Sequence, residues 1–79
     1  MEEKLRIAEA VLFVAARPLE PTELGRFLGT RSKKKIDALM ETLRQHYASR
    51  GSYIEIAKIS QGDSVKYALE LKPEAINYV

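Results

Sequence analysis

The sequence predicts an α+β domain in which three helices precede a two-stranded β-hairpin, the arrangement of a winged helix-turn-helix domain. Three observations lead to this prediction. Before Gly51, apolar residues recur every three or four positions, as they do along one side of an α-helix. After Gly51 they alternate with polar residues, as they do on one face of a β-strand. The predicted second and third helices are joined by Gly29-Thr30-Arg31, the short, glycine-containing link typical of a helix-turn-helix.

The first helix is predicted from Glu2 to Ala16, because the residue before Pro18 is driven out of the helical region. Its apolar residues form two stripes, whereas one stripe about 100° wide is enough for a helix to cover a core. The first stripe consists of Leu5, Ala8, Leu12 and Ala15, and the second of Ile7, Val11 and Val14, with Phe13 between them. The second stripe and Phe13 are therefore predicted to form a partner interface. The alternative is that the second stripe packs under the hairpin of the same domain.

The second and third helices each show one apolar stripe and clear end signals. Helix 2 is predicted from Pro21 to Leu28, with Gly29 as a left-handed stop and Leu24, Phe27 and Leu28 as its buried stripe. Helix 3 is predicted to begin behind Ser32 as N-cap and to end at Gly51. Its stripe is Ile36, Leu39, Met40, Leu43 and Tyr47. The residues expected to be largely buried across the domain are Leu12, Leu24, Leu28, Leu39, Leu43 and Leu69.

The hairpin is predicted from Tyr53–Ile59 and Val65–Leu71, joined by a turn at Ser60-Gln61-Gly62-Asp63. Ile54 and Ile56 share a face but Ile59 falls on the other, which predicts a bulge or twist near Lys58. The winged helix-turn-helix domain is expected to cover residues 1–71, and residues 72–79 to form a weak helical turn or a linker.

Composition fits a single intracellular domain and excludes several classes of protein. The 79 residues are 46% hydrophobic and 30% charged, which is typical of a globular domain. There is no cysteine, so neither a disulfide framework nor a thiolate metal site is possible. The longest apolar run, Ala10 to Ala16, is far shorter than the roughly 20 residues that span a bilayer. Amphipathic periodicity explains this run better than a secretion signal does.

Catalytic and metal-binding chemistry find no support in the residue pattern. The single histidine, His46, has no carboxylate or second histidine at ligand spacing and is interpreted as a boundary residue of helix 3. The four glycines form no phosphate-cradling loop. We therefore expect no enzyme activity, no cofactor and no small-molecule ligand.

A basic run, Arg31, Lys33, Lys34 and Lys35, lies at the start of helix 3, where the helix dipole disfavours positive charge. In a helix-turn-helix this end of the third helix enters the DNA major groove. Lysines act mainly as point charges on phosphates, Asp37 and Glu41 are predicted on the outward face, and the tip Gln61-Gly62-Asp63 carries no cation. The prediction is weak, sequence-independent DNA contact or none, with solubilising surface charge as the alternative.

The order of these motifs resembles the segregation and condensation protein B family along nearly the whole chain. The first part of the resemblance, an LF core leading into P-L-x-x-x-E-L, lies in Ala10, Leu12, Phe13, Pro18, Leu19, Glu23 and Leu24. The second part lies in Leu43, Tyr47, Arg50, Gly51 and Ile54, and the last in Lys72, Pro73, Glu74, Tyr78 and Val79. The segment Thr30 to Lys35 departs from the family in being more basic than its usual acidic helix start.

The resemblance implies a non-catalytic scaffold of the prokaryotic SMC–kleisin complex that condenses and segregates chromosomes. It further implies a homodimer, a kleisin partner, a cytoplasmic and nucleoid-associated location, and no membrane contact. This chain would match the N-terminal of two winged-helix domains, with residues 72–79 leading toward the second. The alternative from a different class is a winged-helix transcriptional regulator, which needs a base-reading third helix and a basic wing. An accessory domain of an enzyme is a third alternative, with no residue that points to it.

Overall fold

The computed structural model describes residues 2–78, with the side chain of Tyr78 left out, and contains three α-helices, one hairpin and a terminal turn of 3-10 helix. The helices are α1 (Glu3–Ala15), α2 (Pro21–Leu28) and α3 (Lys33–Ser49). The strands are β1 (Ile54–Gln61) and β2 (Ser64–Leu71), followed by the 3-10 helix η1 (Pro73–Tyr78). The predicted α+β winged helix-turn-helix class is confirmed. The predicted role of Val79 in the family pattern lies outside the described residues.

Local chemistry explains where each helix begins and ends. The Ser32 side chain accepts a hydrogen bond from the amide of Lys35 at 3.2 Å, which confirms it as the N-cap of α3. In α2, the Glu20 and Glu23 side chains form a reciprocal capping box, and Gly29 ends the helix in the left-handed region at φ 72°. The end of α1 is unusual, because Ala16 takes the left-handed conformation at φ 53° without being glycine.

One face of each helix and of the hairpin contributes to a single apolar core. The buried side chains of this core are Leu5, Ala8, Leu12, Leu19, Leu24, Leu28, Ile36, Met40, Leu43, Tyr47, Ile56 and Tyr67. Four of the six leucines predicted to be buried are in this set. Leu39 and Leu69 are instead half-buried and pack against it from outside. Both lie at the rim of the helix–hairpin contact, where one side of the residue stays accessible.

The hairpin pairs residue for residue from Ile54↔Leu71 to Gln61↔Ser64, so of the two alternatives predicted near Lys58, a bulge or a twist, the bulge is wrong. Ile59 lies opposite Lys66 on the face turned away from Ile56, where it is half-buried. Ile59 can therefore lie on the outer face while the pairing between β1 and β2 continues without interruption. The turn is also shorter than predicted. Gly62, at φ 58°, and Asp63 alone connect the strands, as expected for a tight hairpin with glycine at its first central position.

A single β-bridge ties the loop between α1 and α2 to the second strand. Leu19 and Tyr67 exchange two backbone hydrogen bonds, each 2.8 Å long. Two buried tyrosines add links between elements: the hydroxyl of Tyr67 donates to Asp37 at 2.7 Å, and that of Tyr47 donates to Glu9. Downstream of the hairpin, Ala75 is buried, so η1 packs onto the domain. That residues 72–79 lead to a further domain stays a prediction.

Candidate functional site

An apolar hollow on the surface lies between the C-terminal half of α1 and α2. It encloses about 380 Å³. The residues around it are Ala10, Val11, Val14, Ala15, Arg17, Leu19, Glu23 and Phe27. Phe13, Val14 and Phe27 are 72%, 81% and 63% exposed, respectively, which is unusual for large apolar side chains of a small domain. We call this region, the hollow together with Phe13, the α1–α2 surface.

A charged pair borders the α1–α2 surface. Arg17 Nη2 donates to Glu23 Oε2 at 2.9 Å, while the other carboxylate oxygen of Glu23 accepts the amide of Glu20 at 3.0 Å. The hydrogen bond from Arg17 and that from the Glu20 amide lower the pKa of Glu23. The carboxylate therefore stays ionised, and the apolar surface has a fixed polar rim, as interfaces with an apolar centre commonly do.

The four residues predicted to form the interface divide into two pairs. Phe13 and Val14 are exposed, whereas Ile7 and Val11 are half-buried and pack against the core. In the second stripe of α1, Ile7 and Val11 thus lie at the edge of the core, whereas Val14 lies on the open surface. Phe27, which was predicted to be buried, is exposed beside Val14, so that prediction is wrong. Leu24 and Leu28 lie on the side of α2 that faces the core, whereas Phe27 lies on the side that faces the hollow.

A second exposed apolar group lies at the open end of the hairpin. Ile54 and Leu71 form a cross-strand pair, and both are exposed. Tyr53, which precedes Ile54, and Ile76 in η1 are also exposed. The sequence does not predict such a surface, because Ile54 and Leu71 have the spacing of a half-buried strand. They are exposed because the core ends at Ile56. We call these four residues the hairpin-end surface.

All four residues of the predicted basic run lie on the surface of the domain. Arg31, Lys33, Lys34 and Lys35 are exposed, and Arg26 of α2 joins them across a groove of about 560 Å³. Asp37, predicted on the outward face of the third helix, is instead half-buried because the hairpin covers it and Tyr67 donates to its carboxylate. Asp37 is one of the two acidic residues predicted to oppose nucleic-acid contact from the outward face, and its predicted position is therefore wrong.

His46 is exposed rather than at the boundary of the core. Over residues 2–78 there is no group of three or more His, Cys, Asp or Glu side chains placed to hold a metal ion. No helix in the described part of the chain is long and apolar enough to cross a membrane.

Comparisons with known proteins point to one family. A search of curated proteins finds no match. A solved structure, the dimer of the ScpB N-terminal domain complexed with ScpA peptide, matches with a TM-score of 0.75 and 25% sequence identity. The match covers 94% of this chain and 80% of that one. The family model of the segregation and condensation complex subunit ScpB matches residues 6–79. The chain therefore belongs to the ScpB family, whose members are scaffold subunits of the complex that segregates and condenses chromosomes.

Proposed function

We propose that this domain is a non-catalytic dimerisation and kleisin-binding module of a cytoplasmic, nucleoid-associated SMC–kleisin complex. The observation that carries the proposal is the α1–α2 surface, where Phe13, Val14 and Phe27 remain exposed. Membership of the ScpB family supports it. So does the likeness to a domain that was solved as a dimer with a ScpA peptide.

Self-association through the α1–α2 surface is favoured because a symmetric dimer buries each exposed apolar side chain of that surface once in each copy. In an isologous dimer the same patch is used by both copies, so Phe13, Val14 and Phe27 are each buried twice. Full burial of such a side chain contributes about 1.5–3 kcal/mol. Because the three side chains are 63–81% exposed, most of this contribution is available in each copy, and it counts toward the association cost of about 4–15 kcal/mol. Ile7 and Val11, already half-covered, border the proposed interface and contribute less.

The hairpin-end surface is the place that we assign to the kleisin segment. It lies on other elements than the α1–α2 surface and shares no residue with it, so a dimer can form while Ile54 and Leu71 remain accessible. A short, apolar segment of kleisin would cover this cross-strand pair. The two surfaces thus correspond to the two contacts that a scaffold has to make simultaneously.

The self-association test is a concentration series measured by sedimentation velocity. The double variant Val14→Glu with Phe27→Glu is expected to be a folded monomer at concentrations where the wild type is a dimer. Its matched control is Ala38→Glu with Ala48→Glu, which adds the same charge at two exposed sites on α3 and should leave the dimer intact. A wild-type domain that stays monomeric throughout the series, or a variant that dimerises equally well, would contradict the assignment.

The kleisin test uses a second double variant, Ile54→Glu with Leu71→Glu. We expect it to dimerise normally and to lose capture of kleisin fragments in a pull-down, whereas the Val14 and Phe27 variant retains capture. If the hairpin-end variant captures kleisin as the wild type does, the kleisin segment binds elsewhere.

A further inference from the structure

The entire net positive charge of this protein is concentrated in one short segment. Arg26, Arg31, Lys33, Lys34 and Lys35 supply five cations, and no acidic residue lies between Arg26 and Lys35. Setting these five aside from the thirteen basic residues leaves eight, which are outnumbered by the eleven acidic ones. The rest of the domain is therefore net negative, and the five cations form a basic patch on an otherwise acidic molecule.

The cations of the basic patch are not neutralised from within the fold. All five are exposed, and none of them forms an ion pair among residues 2–78. The acidic side chains that follow on α3 are engaged elsewhere. Asp37 accepts from the Tyr67 hydroxyl at 2.7 Å, and Glu41 is paired with Arg44 at 2.7 Å. Of the two carboxylates nearest along the helix, one is half-buried and hydrogen-bonded and the other is paired with a cation, so neither forms an ion pair with the basic patch.

The helix-turn-helix link holds three of these cations around one groove. Arg26, Arg31 and Lys33 line it together with the hydroxyl-bearing residues Thr22 and Thr30. The link is tight, since the amide of Thr30 donates to the Gly25 carbonyl at 3.0 Å. Cations and hydroxyls on a rigid turn at the start of a third helix match the arrangement by which helix-turn-helix proteins contact a DNA backbone.

We propose that the basic patch binds duplex DNA through its phosphates, without reading base sequence. Duplex DNA is favoured over an acidic protein segment because three of the five cations lie in the first turn of α3, the end that a major groove accommodates, and the other two lie on α2 and on the link that precedes α3. Lysine acts mainly as a point charge on phosphate, so the three lysines of the basic patch favour contacts that do not depend on base sequence. The basic groove and the α1–α2 hollow have no lining residue in common, because they lie on opposite sides of α2. A dimer would therefore present two basic patches.

The wing tip limits the affinity. Glu20 and Asp63 line a shallow hollow together with Lys33, so two carboxylates stand beside the basic patch, with Asp63 at the hairpin turn. We therefore expect weak, strongly salt-dependent binding. The change Asp63→Asn removes this charge and is expected to tighten binding by roughly two- to fivefold at low salt, as for a single nearby charge near the surface.

The test is fluorescence anisotropy with two labelled duplexes of unrelated sequence, titrated between 50 and 200 mM salt. We expect equal affinity for both, in the non-specific range of about 10⁻⁴–10⁻⁶ M, and a slope of log K against log[salt] of about −0.9 per phosphate contact. Replacing Lys33, Lys34 and Lys35 by Gln should reduce the slope by about 2.7 if each makes one contact. The matched control replaces three lysines outside the basic patch, Lys4, Lys58 and Lys72, and should retain the slope.

Each other outcome overturns the proposal. If no DNA binding is detected at 50 mM salt, the proposal is wrong. If the matched control loses as much of the salt slope as the basic-patch variant does, DNA is attracted by net charge alone. If the basic-patch variant keeps DNA binding but loses capture of a kleisin fragment, the ligand is an acidic protein segment. A tight complex with only one of the two duplexes indicates a sequence-specific regulator. Light scattering of the basic-patch variant separates this test from the proposed scaffold function, since dimerisation should be unaffected.

Discussion

Replacing Gly25 by alanine tests how closely the link between α2 and α3 is packed. Gly25 is inside a helix, where alanine is normally favoured over glycine by about 0.5–1 kcal/mol. Helix propensity alone thus predicts a more stable protein. The structure predicts the opposite, because a Cβ atom on Gly25 would lie 2.3 Å from the carbonyl oxygen of Thr30. This oxygen belongs to the backbone and cannot rotate away as a side chain would.

The size of the effect follows from three contributions. Forcing extra atoms into a packed site that has to shift its backbone costs about 1–3 kcal/mol. The shift also strains the hydrogen bond from the Thr30 amide to the Gly25 carbonyl, a contribution of about 1 kcal/mol. With the gain in helix propensity subtracted, the free energy of unfolding should fall by about 1–3 kcal/mol. In a domain of this size each kcal/mol lowers Tm by about 4–8 °C.

Urea unfolding followed by far-UV circular dichroism gives the free energy of unfolding directly. The control is Thr22→Ala, an exposed position on the same helix, which should change stability by no more than about 0.5 kcal/mol. A Gly25→Ala variant as stable as the wild type, or more stable, would show that the link relaxes freely. The close approach of the two helices would then not depend on glycine.

Three further predictions concern stability. Truncating Leu43, fully buried in α3, to alanine should cost about 2–5 kcal/mol in urea unfolding, and the same change at half-buried Leu39 clearly less; equal costs would contradict the placement of α3. Burial, followed by the Glu9 carboxylate, raises the pKa of Tyr47 to about 12, above the value of about 10 in an unfolded chain. Its contribution to stability is therefore complete below about pH 10 and is lost as the pH rises toward 12, so that Tyr47→Phe should show a weaker loss in alkaline urea titrations. Ala16→Gly should raise the free energy of unfolding by about 1 kcal/mol, since alanine is held at φ 53° where glycine is unstrained. A variant with a lower free energy of unfolding than the wild type would show that Ala16 carries no strain.

The features that sequence predicted well are those governed by short-range chemistry. The N-cap Ser32, the stop at Gly29 and the 3.6-residue period of α3 are local signals, and the structure follows them. The predicted start of helix 2 at Pro21 agrees for the same reason. A residue pattern within one turn of helix is enough to fix such positions.

The features that the sequence failed to predict depend on which elements pack against each helix in the folded domain. Asp37 sits on a predicted outward face, but the hairpin covers that side and Tyr67 reaches the carboxylate. Phe27 has the spacing of a buried residue, yet it lies on the side of α2 that faces the hollow and not the core. The tight contact at Gly25 joins residues that no periodicity relates. In the candidate site, Val14 and Phe13 were identified because α1 is apolar on two sides, whereas their neighbour Phe27 was not.

The bridge between Leu19 and Tyr67 has a consequence for the order in which the domain folds. It joins the loop after the first helix to the last strand, residues that are distant in the chain, and a two-stranded sheet alone is marginally stable in water. We therefore expect the hairpin to become stable only together with the helical half, because closing this long loop costs chain entropy before the bridge can form. The amides of Leu19 and Tyr67 should then exchange hydrogen for deuterium together, at the rate of global opening, and helices and wing would unfold as one cooperative unit.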